Sequence, residues 1–377
     1  MSFQDKFDVA GGLAGFSCAL YKRLSDKDGN LFFSPYSISS ALSLAYLGAR
    51  GETKTQMAEV LGFRLDAHDI VYTLTELGQS LASDDGKIKA KIGNAAWVQE
   101  GLELTEEYHS CLTGIGDLLR EVDYKNAAES IRTEINTWVE KITEDLIRNL
   151  IPEGVLDKLT RLVLVNAIYF KGEWSSKFDE ENTKKCEFQN LEGAPSLVDM
   201  MFQPKLKGRY VCGTSTGGAF QAAQINYGDG SVSIAVIMPD DFRRFEDEFS
   251  PDSLEAALGM ESAKINLTMP KFKTGDKFFL GSQLIQMGMP LAFSDSADFS
   301  GITKQEPLKI SEVIHQAVIE VSEEGTEAAA ATAVVMKRCL SMPARDKIVT
   351  LTLDRPFIYL ILDQFRTPLF MGRITKL

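Results

Sequence analysis

The order of periodic segments along the 377-residue chain predicts an α+β fold with large, mostly antiparallel sheets. Apolar residues recur at helical spacing through the first third of the sequence. Later segments are almost continuously apolar and β-branched, or alternate with a period of two, which is typical of strands. Because helices and strands do not alternate regularly, a sheet built from parallel βαβ units is not predicted.

Helical spacing and capping signals predict four helices in the first 150 residues. Ser34 and Pro35 supply an N-cap and a first-turn proline to the second helix, which ends near Gly48. Gly62 stops the third. The helices are predicted from Leu13, Phe16, Leu20, Tyr21 and Leu24; from residues 35–48; from residues 53–61; and from Ile131, Ile135, Trp138, Val139, Ile142 and Leu146.

Strands are predicted mainly after residue 160. Residues 161–170 have the composition of a strand buried on both faces. Residues 231–238 alternate before a Pro-Asp-Asp turn. Further strands are predicted at 265–269, 310–321, 357–362 and 369–374. At ~150 residues per domain the length suggests two or three domains, but no internal repeat and no Pro-, Ser- or Gly-rich linker divides the chain, so one large domain stays open.

The charge balance excludes several classes of partner. Lysine and arginine total 40 against 53 aspartate and glutamate residues, a net charge of −13. Such a surface repels phosphate backbones and anionic lipid, so nucleic-acid and membrane partners are not expected. The longest apolar runs are far shorter than the ~20 residues that span a bilayer.

Cysteine usage and the N-terminal sequence predict a reducing compartment. The five cysteines, Cys18, Cys111, Cys186, Cys212 and Cys339, have no CxxC spacing, and their odd number disfavours a disulfide framework. The first residues lack the basic and apolar regions of a secretory signal. We therefore expect a cytoplasmic protein, or an extracellular one if a signal peptide has been removed.

Few residues are available for catalysis or metal binding. The three histidines, His68, His109 and His315, form no HExxH or HxxxH pattern, so neither a metal site nor a cofactor is predicted. The segment 213–217 fits the GxSxG pattern of a hydrolase nucleophile, here Ser215. That motif needs a helix after the turn, whereas the pattern of the following residues predicts another strand, so a loop between two strands is the preferred interpretation.

The segment 323–339, Glu-Glu-Gly-Thr-Glu-Ala-Ala-Ala-Ala-Thr-Ala-Val-Val-Met-Lys-Arg-Cys, allows two interpretations. Helix propensity favours a helix, since alanines follow acidic residues that suit a helix N-terminus. The segment also continues a predicted strand, and Gly325 interrupts the junction as a hinge would. At a period of two, one face is small or apolar and uncharged, so the segment could enter a sheet as an extra strand without burying a charge. That face comprises Thr326, Ala328, Ala330, Thr332, Val334 and Met336.

Five ordered blocks of the sequence resemble the serpins. The most specific is His315-Gln-Ala-Val-Ile-Glu-Val-Ser-Glu-Glu-Gly-Thr-Glu-Ala-Ala-Ala-Ala-Thr, which is similar to the serpin hinge. The others are Asn30-Leu-Phe-Phe-Ser-Pro-Tyr-Ser-Ile-Ser, Val165-Asn-Ala-Ile-Tyr-Phe-Lys-Gly-Glu-Trp174, Asp354-Arg-Pro-Phe-Ile-Tyr and Pro368-Leu-Phe-Met-Gly-Arg-Ile. The similarity runs from about Phe7 to the C-terminus, and the short N-terminus without a signal sequence resembles that of the intracellular, ovalbumin-like branch. The family resemblance implies one domain over residues 1–377, with helices around three mostly antiparallel sheets and an exposed reactive-centre loop at about residues 323–345.

The resemblance implies a suicide substrate rather than an enzyme, so no catalytic residue is assigned. A protease attacks one bond of the loop and forms an acyl-enzyme, and the cut loop then inserts into the central sheet and distorts the protease. The implied hinge comprises Glu323, Glu324, Gly325, Thr326, Glu327, Ala328, Ala329, Ala330 and Ala331. Within it, Thr326 and the four alanines include no charged, bulky or proline residue, the kinds typical of family members that have lost inhibition. We therefore expect an active inhibitor that acts as a monomer on a serine protease.

The reactive bond is expected at Arg338–Cys339, because a trypsin-like pocket carries a buried carboxylate that binds a cation. In typical family members, the number of residues between the hinge glycine and the cut bond would make Cys339, rather than Arg338, the residue before the bond. The stretch from Cys339 to Asp354 is also longer than in typical members. Alternative bonds therefore lie at Lys337, Leu340 and Arg345. The papain-like cysteine proteases, which also accept basic residues, are an alternative target.

The resemblance also assigns a sheet-opening cluster. Ser34, Ser37, Asn166 and His315 match the polar group beneath the strands that part, Trp174 matches the aromatic residue where the hinge enters, and Lys271 is a possible partner of Glu323. Heparin binding is not expected, because residues 64–83 contain one arginine and no lysine. The alternatives in function are a non-inhibitory chaperone or carrier of the same family and a hydrolase that uses Ser215.

Overall fold

The described residues, 3–81, 87–115, 118–326 and 348–377 of a computed structural model, form helices and two hydrogen-bonded sheet networks. The helices are α1 (Phe3–Leu24), α2 (Pro35–Gly48), α3 (Gly51–Leu61), α4 (Ala67–Leu81), α5 (Glu106–Ile115), α6 (Tyr124–Ile142), α7 (Phe242–Asp247), α8 (Pro251–Leu258) and α9 (Gly281–Met287), with short 3₁₀ turns at Glu180–Asn182 and Leu291–Phe293. The α+β class predicted from the sequence is confirmed.

The strands range in length from two to 20 residues. They are β1 (Leu31–Phe33), β2 (Ile88–Gln99), β3 (Leu119–Val122), β4 (Leu162–Glu173), β5 (Lys184–Phe188), β6 (Ser196–Ser215), β7 (Gly218–Tyr227), β8 (Val232–Pro239), β9 (Glu261–Pro270), β10 (Phe272–Phe279), β11 (Val313–Val321), β12 (Gly325–Thr326), β13 (Ile348–Thr352), β14 (Phe357–Asp363) and β15 (Pro368–Ile374).

The larger network has nine strands in the order β1-β15-β14-β8-β7-β6-β9-β13, with β5 also paired to β6. The 20-residue β6 pairs with β9 over Met200–Tyr210 and with β7 over Arg209–Ser215, so one strand joins two layers. The three sheets that the resemblance implies are thus hydrogen-bonded here into two networks.

The smaller network has six strands in the order β10-β11-β12-β4-β2-β3 and carries the features relevant to function. Parallel pairing occurs at three of the described strand pairs, β2–β3, β4–β11 and β9–β13, and the others are antiparallel. The prediction of mostly antiparallel sheets is therefore confirmed.

Helices cover both faces of the six-stranded network. Helix α2, buried along its whole length, lies under β2 and β4, whereas α6 packs on the opposite face. Ile135 and Val139 of α6 share a separate apolar core with Trp97, Val163 and Val165 of the sheet. The strands of this network are therefore packed on both faces.

The capping signals in the sequence act as predicted. The Ser34 hydroxyl accepts a hydrogen bond from the Ser37 amide at 3.1 Å and caps α2. Gly62 ends α3 with a left-handed φ of 68°. The predicted extension of the fourth helix to Leu146 is wrong: α6 ends at Ile142, because Glu144 and Asp145 adopt positive φ values of 52° and 65°.

The GxSxG segment lies in a hairpin rather than a nucleophile elbow. Strand β6 ends at Ser215 and β7 begins at Gly218, so no helix follows the serine. The preferred interpretation, a loop between two strands, is confirmed. Among the described helices none is long and apolar enough to cross a membrane.

Candidate functional site at a sheet opening

The central feature of the six-stranded network is an incomplete seam between two parallel strands. Strands β4 and β11 pair directly only at Val165 with Ile314 and at the preceding position, Leu164 with Val313. Toward their C-terminal ends the two-residue β12 lies between them, with Thr326 opposite both Gly172 of β4 and Val321 of β11. The strands are therefore joined at one end and separated by inserted chain at the other.

A tight turn places β12 in this position. The Ser322 amide donates to the Gly325 carbonyl at 2.8 Å, and the Gly325 amide donates back to the Ser322 carbonyl at 3.2 Å. Gly325 has a φ of 149°, and a Cβ added there would lie 2.0 Å from the carbonyl oxygen of Gly172. Only glycine fits between the turn and the backbone of β4. At Gly325–Thr326 the helical interpretation of the segment is consequently wrong.

Aromatic residues hold the turn from the core side. The Trp174 indole Nε1 donates to the Ser322 carbonyl at 2.8 Å, and the Trp174 amide donates to the Glu324 carbonyl at 2.9 Å. The indole stacks on Tyr227 with ring centroids 4.4 Å apart. The Tyr227 hydroxyl is 2.8 Å from Oγ1 of Thr326, whose residue is only 1% exposed. Thr326 is thus already inserted and has a satisfied hydroxyl.

A buried carboxylate anchors the start of the turn. Glu323 is 5% exposed, and its carboxylate accepts hydrogen bonds from Lys271 Nζ at 2.7 Å and from Thr183 Oγ1 at 2.7 Å. Burial alone would raise the pKa of Glu323, but the hydrogen bonds from Lys271 and Thr183 together outweigh it and lower that pKa. The charged pair links the turn to the loop that joins β9 to β10.

A second lysine connects the turn to the end of β4. The Lys177 ammonium lies 3.1 Å from the carboxylate of Glu173 and also bonds the carboxylate of Glu324. The hydrogen bond to Glu324 is the main reason that the pKa of Lys177 is raised. The side chains of Lys177, Glu173 and Glu324 are between one fifth and one third exposed, so water screens their charges. These ion pairs therefore contribute less to stability than the buried pair of Glu323 and Lys271.

Helix α2 joins β4 and β11 at the other end of the opening. The Ser34 amide donates to Nε2 of His315 at 3.0 Å, and the Ser34 hydroxyl donates to the Leu369 carbonyl at 2.6 Å. The Ser37 hydroxyl donates to Oδ1 of Asn166. Asn166 in turn donates to the side chain of Asn94 on β2. All four sequence-predicted residues, Ser34, Ser37, Asn166 and His315, are therefore in one buried cluster.

The cluster begins where direct strand pairing ends. His315 and Asn166 are the residues that immediately follow the last paired residues, Ile314 and Val165. Burial lowers the pKa of His315 to about 3, so the imidazole is neutral and accepts the hydrogen bond from Ser34. The N-terminal turn of α2 thus bonds to both strands at the end of the opening.

Trp174 and Lys271 lie at the hinge end, away from this buried cluster. The eight residues from Asn166 to Trp174 along β4 span about 26 Å. The sequence did not identify Tyr227, Thr183 or Lys177 as part of the site. Nothing in the sequence around these residues distinguishes them from ordinary strand and loop residues.

Several predicted site residues lie outside the described residues. These are Glu327 and Ala328, Ala329, Ala330 and Ala331 of the hinge, and Lys337, Arg338, Cys339, Leu340 and Arg345 of the reactive loop. Within the described ranges, no group of three or more His, Cys, Asp or Glu side chains could hold a metal ion. What the arrangement offers is a slot between two strands, with its entrance already occupied by Gly325–Thr326.

Comparisons with known proteins agree with this geometry. The model of a family described as Serpin (serine protease inhibitor) matches residues 12–377. Iris, from Ixodes ricinus, is 38% identical over 382 residues, which cover 98% of this chain and 99% of Iris. The leukocyte elastase inhibitor of Sus scrofa is 34% identical over 379 residues, 96% of this chain and 97% of that protein. The solved structure of uncleaved ovalbumin superposes with a TM-score of 0.84 at 27% identity, and covers 98% of this chain and 100% of its own.

Proposed function

Because the chain belongs to the serpin family, we propose that it inhibits trypsin-like serine proteases as a suicide substrate. The relatives named as elastase inhibitors support protease inhibition as the general activity. The observation that carries the finer proposal is the pairing of Gly325–Thr326 with both β4 and β11 at the point where those strands diverge. A chain held there needs no rearrangement to begin insertion.

Extending the register of β12 defines the path of the inserted loop. With Thr326 opposite Gly172, antiparallel pairing brings Ala328 opposite Phe170 and Thr332 opposite Asn166. On the β11 side, Thr332 comes opposite His315. Six residues after Thr326 therefore fill the slot as far as the α2 cluster, and each adds backbone hydrogen bonds worth about 1 kcal/mol net.

The side chains along this path suit a buried strand. Ala328 and Ala330 share the core face with Thr326, opposite Phe170 and Ile168, which are 3% and 1% exposed. Small side chains can pack beside Phe170 and Ile168 without the overpacking that a larger residue would cause. Beyond Thr332, insertion separates only the direct pairs at Val165 and Leu164.

The hinge contacts give the insertion a direction. Glu323 and Lys271 hold the turn that precedes the moving segment, so the chain beyond Thr326 moves while its base stays fixed. The cluster of His315, Ser34 and Asn166 resists parting of the strands until the loop reaches it. In this proposal the Glu323–Lys271 pair fixes the base of the moving segment, and the cluster at the start of α2 delays separation of the strands.

We place the reactive bond at Arg338–Cys339, with Lys337, Leu340 and Arg345 as the competing positions. An arginine before the bond is the feature that fits a trypsin-like pocket.

The described cysteines, Cys18, Cys111, Cys186 and Cys212, are all unbridged, which supports the expected reducing compartment. The single domain, the monomeric state and the absence of a cofactor remain predictions.

The test is an SDS gel of the protein incubated with trypsin, followed by mass spectrometry of the released loop peptide. We expect a covalent band at the summed mass and a peptide that begins at Cys339. Arg338→Ala should abolish the band with trypsin, and Arg345→Ala, the matched control, should leave it unchanged. A peptide that begins at Asp346 would place the bond at Arg345. Cleavage without any covalent band would instead support the non-inhibitory alternative.

A further inference from the structure

The short strand β5 has one edge with which no described strand pairs. Its inner edge pairs antiparallel with β6, where Lys185 lies opposite Asp199, and its outer edge has no described partner. Among the described residues, no turn or loop forms a hydrogen bond with the backbone of Lys185 or Glu187. Residues 184–187 are all exposed. An exposed, unpaired edge is a template on which another strand can pair.

The hydrogen bonds of β6 decide which peptide groups point out of this edge. The Asp199 carbonyl accepts a hydrogen bond from the Lys271 amide at 2.9 Å, on the side of β6 that faces β9. The peptide groups of Asp199 therefore point away from Lys185, and these two opposite residues form a non-hydrogen-bonded pair. It follows that the N–H and C=O groups of Lys185 and Glu187 point outward, whereas those of Cys186 point to β6.

A second copy of the chain fits this edge when it pairs about a twofold axis through Cys186. Antiparallel pairing about that axis brings Lys185 of each copy opposite Glu187 of the other. Both pairs fall at outward-pointing positions, so they form four backbone hydrogen bonds and join opposite charges. Lysine on a strand edge ordinarily opposes such pairing, and here a carboxylate faces each one. The flanking pairs, Lys184 with Phe188, bring no like charges together.

The ion pair that Lys185 already forms leaves room for this contact. Its ammonium lies 3.1 Å from the carboxylate of Asp199 in the same chain, and the two side chains are 60% and 49% exposed. Water screens the pair, and the ammonium has three N–H donors with which to bind a second carboxylate. Within the described part of the chain, Glu187 forms no ion pair.

The same axis places the two Cys186 residues directly opposite each other at a non-hydrogen-bonded position. Opposite residues at such a position have Cα atoms about 4.5 Å apart, within the range of roughly 4.4–6.8 Å that a disulfide spans. Cys186 is unbridged and exposed. A five-residue edge buries too little surface for a tight non-covalent dimer, so only a covalent bond keeps the two copies paired.

We propose that the outer edge of β5 is a self-association surface, on which two copies pair and become joined by a Cys186–Cys186 disulfide when glutathione disulfide is present. One Cys186 thiolate attacks glutathione disulfide and releases a first glutathione, and the thiolate of the second copy then releases the other. The two thiols lose two protons and two electrons, which reduce the glutathione disulfide. In a reducing compartment the protein stays a monomer. This proposal does not depend on the proposed inhibitory function.

The first experiment incubates the protein with glutathione disulfide and analyses it on a non-reducing SDS gel. We expect a band at twice the chain mass that dithiothreitol removes, and a tryptic peptide of residues 186–205 linked to itself. Cys186→Ser should abolish the band. Cys212→Ser, the matched control on another exposed cysteine, should retain it. A dimer linked through any other cysteine, or a glutathione adduct of Cys186 without a dimer, would overturn the proposal.

The second experiment tests the charge register. Glu187→Lys brings lysines opposite each other at both pairs and should slow dimer formation about tenfold at low salt. The variant is also less acidic by two charges than the wild type, whose net charge is −13, so general repulsion between copies predicts the opposite, faster dimer formation. Lys185→Glu/Glu187→Lys restores opposite charges across the axis and should dimerise at the wild-type rate. Equal rates for all three proteins, or a faster Glu187→Lys, would show that the cysteines merely collide.

A mixture of two variants provides a further readout. Glu187→Lys has two lysines in the paired positions and Lys185→Glu has two glutamates, so only the mixed dimer joins opposite charges. Oxidising an equimolar mixture should therefore give a dimer fraction that is about nine-tenths mixed, as mass spectrometry of the intact dimers measures. A mixed fraction of about one half, the value for random pairing, would contradict the register even if the wild type dimerises through Cys186.

Discussion

Replacing Thr326 by arginine is the most direct way to test loop insertion. Thr326 is 1% exposed, lies between β4 and β11, and bonds the hydroxyl of Tyr227. An arginine at this position cannot lose its charge and finds no carboxylate on the core face of the slot. We expect the charge to displace the hinge from the seam in the uncleaved variant, so that insertion must then bury the charge. Trypsin should therefore cleave the variant as a substrate and be released, because insertion no longer precedes deacylation.

The structure sets the size of this effect. Moving an unpaired guanidinium from water into a buried site costs several kcal/mol. We take about 3 kcal/mol of this cost as the increase in the activation free energy of insertion. That cost slows insertion about 150-fold. If wild-type insertion outpaces deacylation about tenfold, the number of inhibitor molecules consumed per trypsin inactivated rises from about 1.1 to about 16.

The assay titrates trypsin with each protein and quantifies the covalent band on an SDS gel. Thr326→Val is the matched control: it loses the hydrogen bond to Tyr227 but buries no charge, so its stoichiometry should stay below about 2. A Thr326→Arg protein that forms the covalent band as efficiently as the wild type would refute the reasoning that insertion proceeds through β12.

Three further predictions concern the hinge and the buried cluster. Gly325→Ala should lower the free energy of unfolding by about 2–3 kcal/mol in urea titration, because its Cβ would lie 2.0 Å from the Gly172 carbonyl oxygen. Lys271→Ala should cost about 1–2 kcal/mol in the same measurement, since the buried carboxylate of Glu323 keeps Thr183 as a partner but loses its counter-charge. His315 has a folded-state pKa of about 3 against about 6.5 when unfolded, so its contribution to stability is complete above pH 6.5 and falls as the pH drops. Between pH 7 and pH 5 this loss amounts to about 2 kcal/mol, which His315→Gln should remove from the pH profile of unfolding.

Each of these variants has a control elsewhere in the chain. Gly11→Ala, where a Cβ meets nothing within 4 Å, should not destabilise the protein. Lys185→Ala breaks an exposed pair with Asp199 and should cost less than about 0.5 kcal/mol. His109→Gln changes an exposed histidine and is the control for the His315 variant. If a control matched its test variant, the assigned cause would be wrong.

The sequence alone predicted the elements whose local signals are strong. Ser34 and Pro35 mark the start of α2, and Gly62 marks the end of α3, because caps and left-handed positions restrict the residues that can occupy them. The apolar runs at β4, β14 and β15 were equally clear, since strands buried on both faces contain few polar residues. Helices α4 and α5 were not predicted, although Ile70, Val71, Leu74 and Leu81 of α4 recur at helical spacing.

Tertiary contacts decided the structure around Gly325–Thr326. Local propensity allowed a helix there, and the close approach of Gly172 together with pairing on both sides selects a strand. The end of α6 likewise depends on residues 144 and 145 adopting left-handed φ values, which their sequence does not require. Period and composition cannot distinguish such alternatives, because the deciding contacts come from residues distant in sequence.

By itself, the sequence determined the fold class, the resemblance that identified the family, and the small-residue pattern of a segment able to enter a sheet. Only the tertiary structure decided that the hinge is already two residues into the seam, that Glu323 is buried against Lys271, and that α2 bonds to both strands where their pairing ends. The physical reason is that apolar patterns and caps act over a few residues, whereas the register of two strands and the partner of a buried charge depend on the whole packed chain.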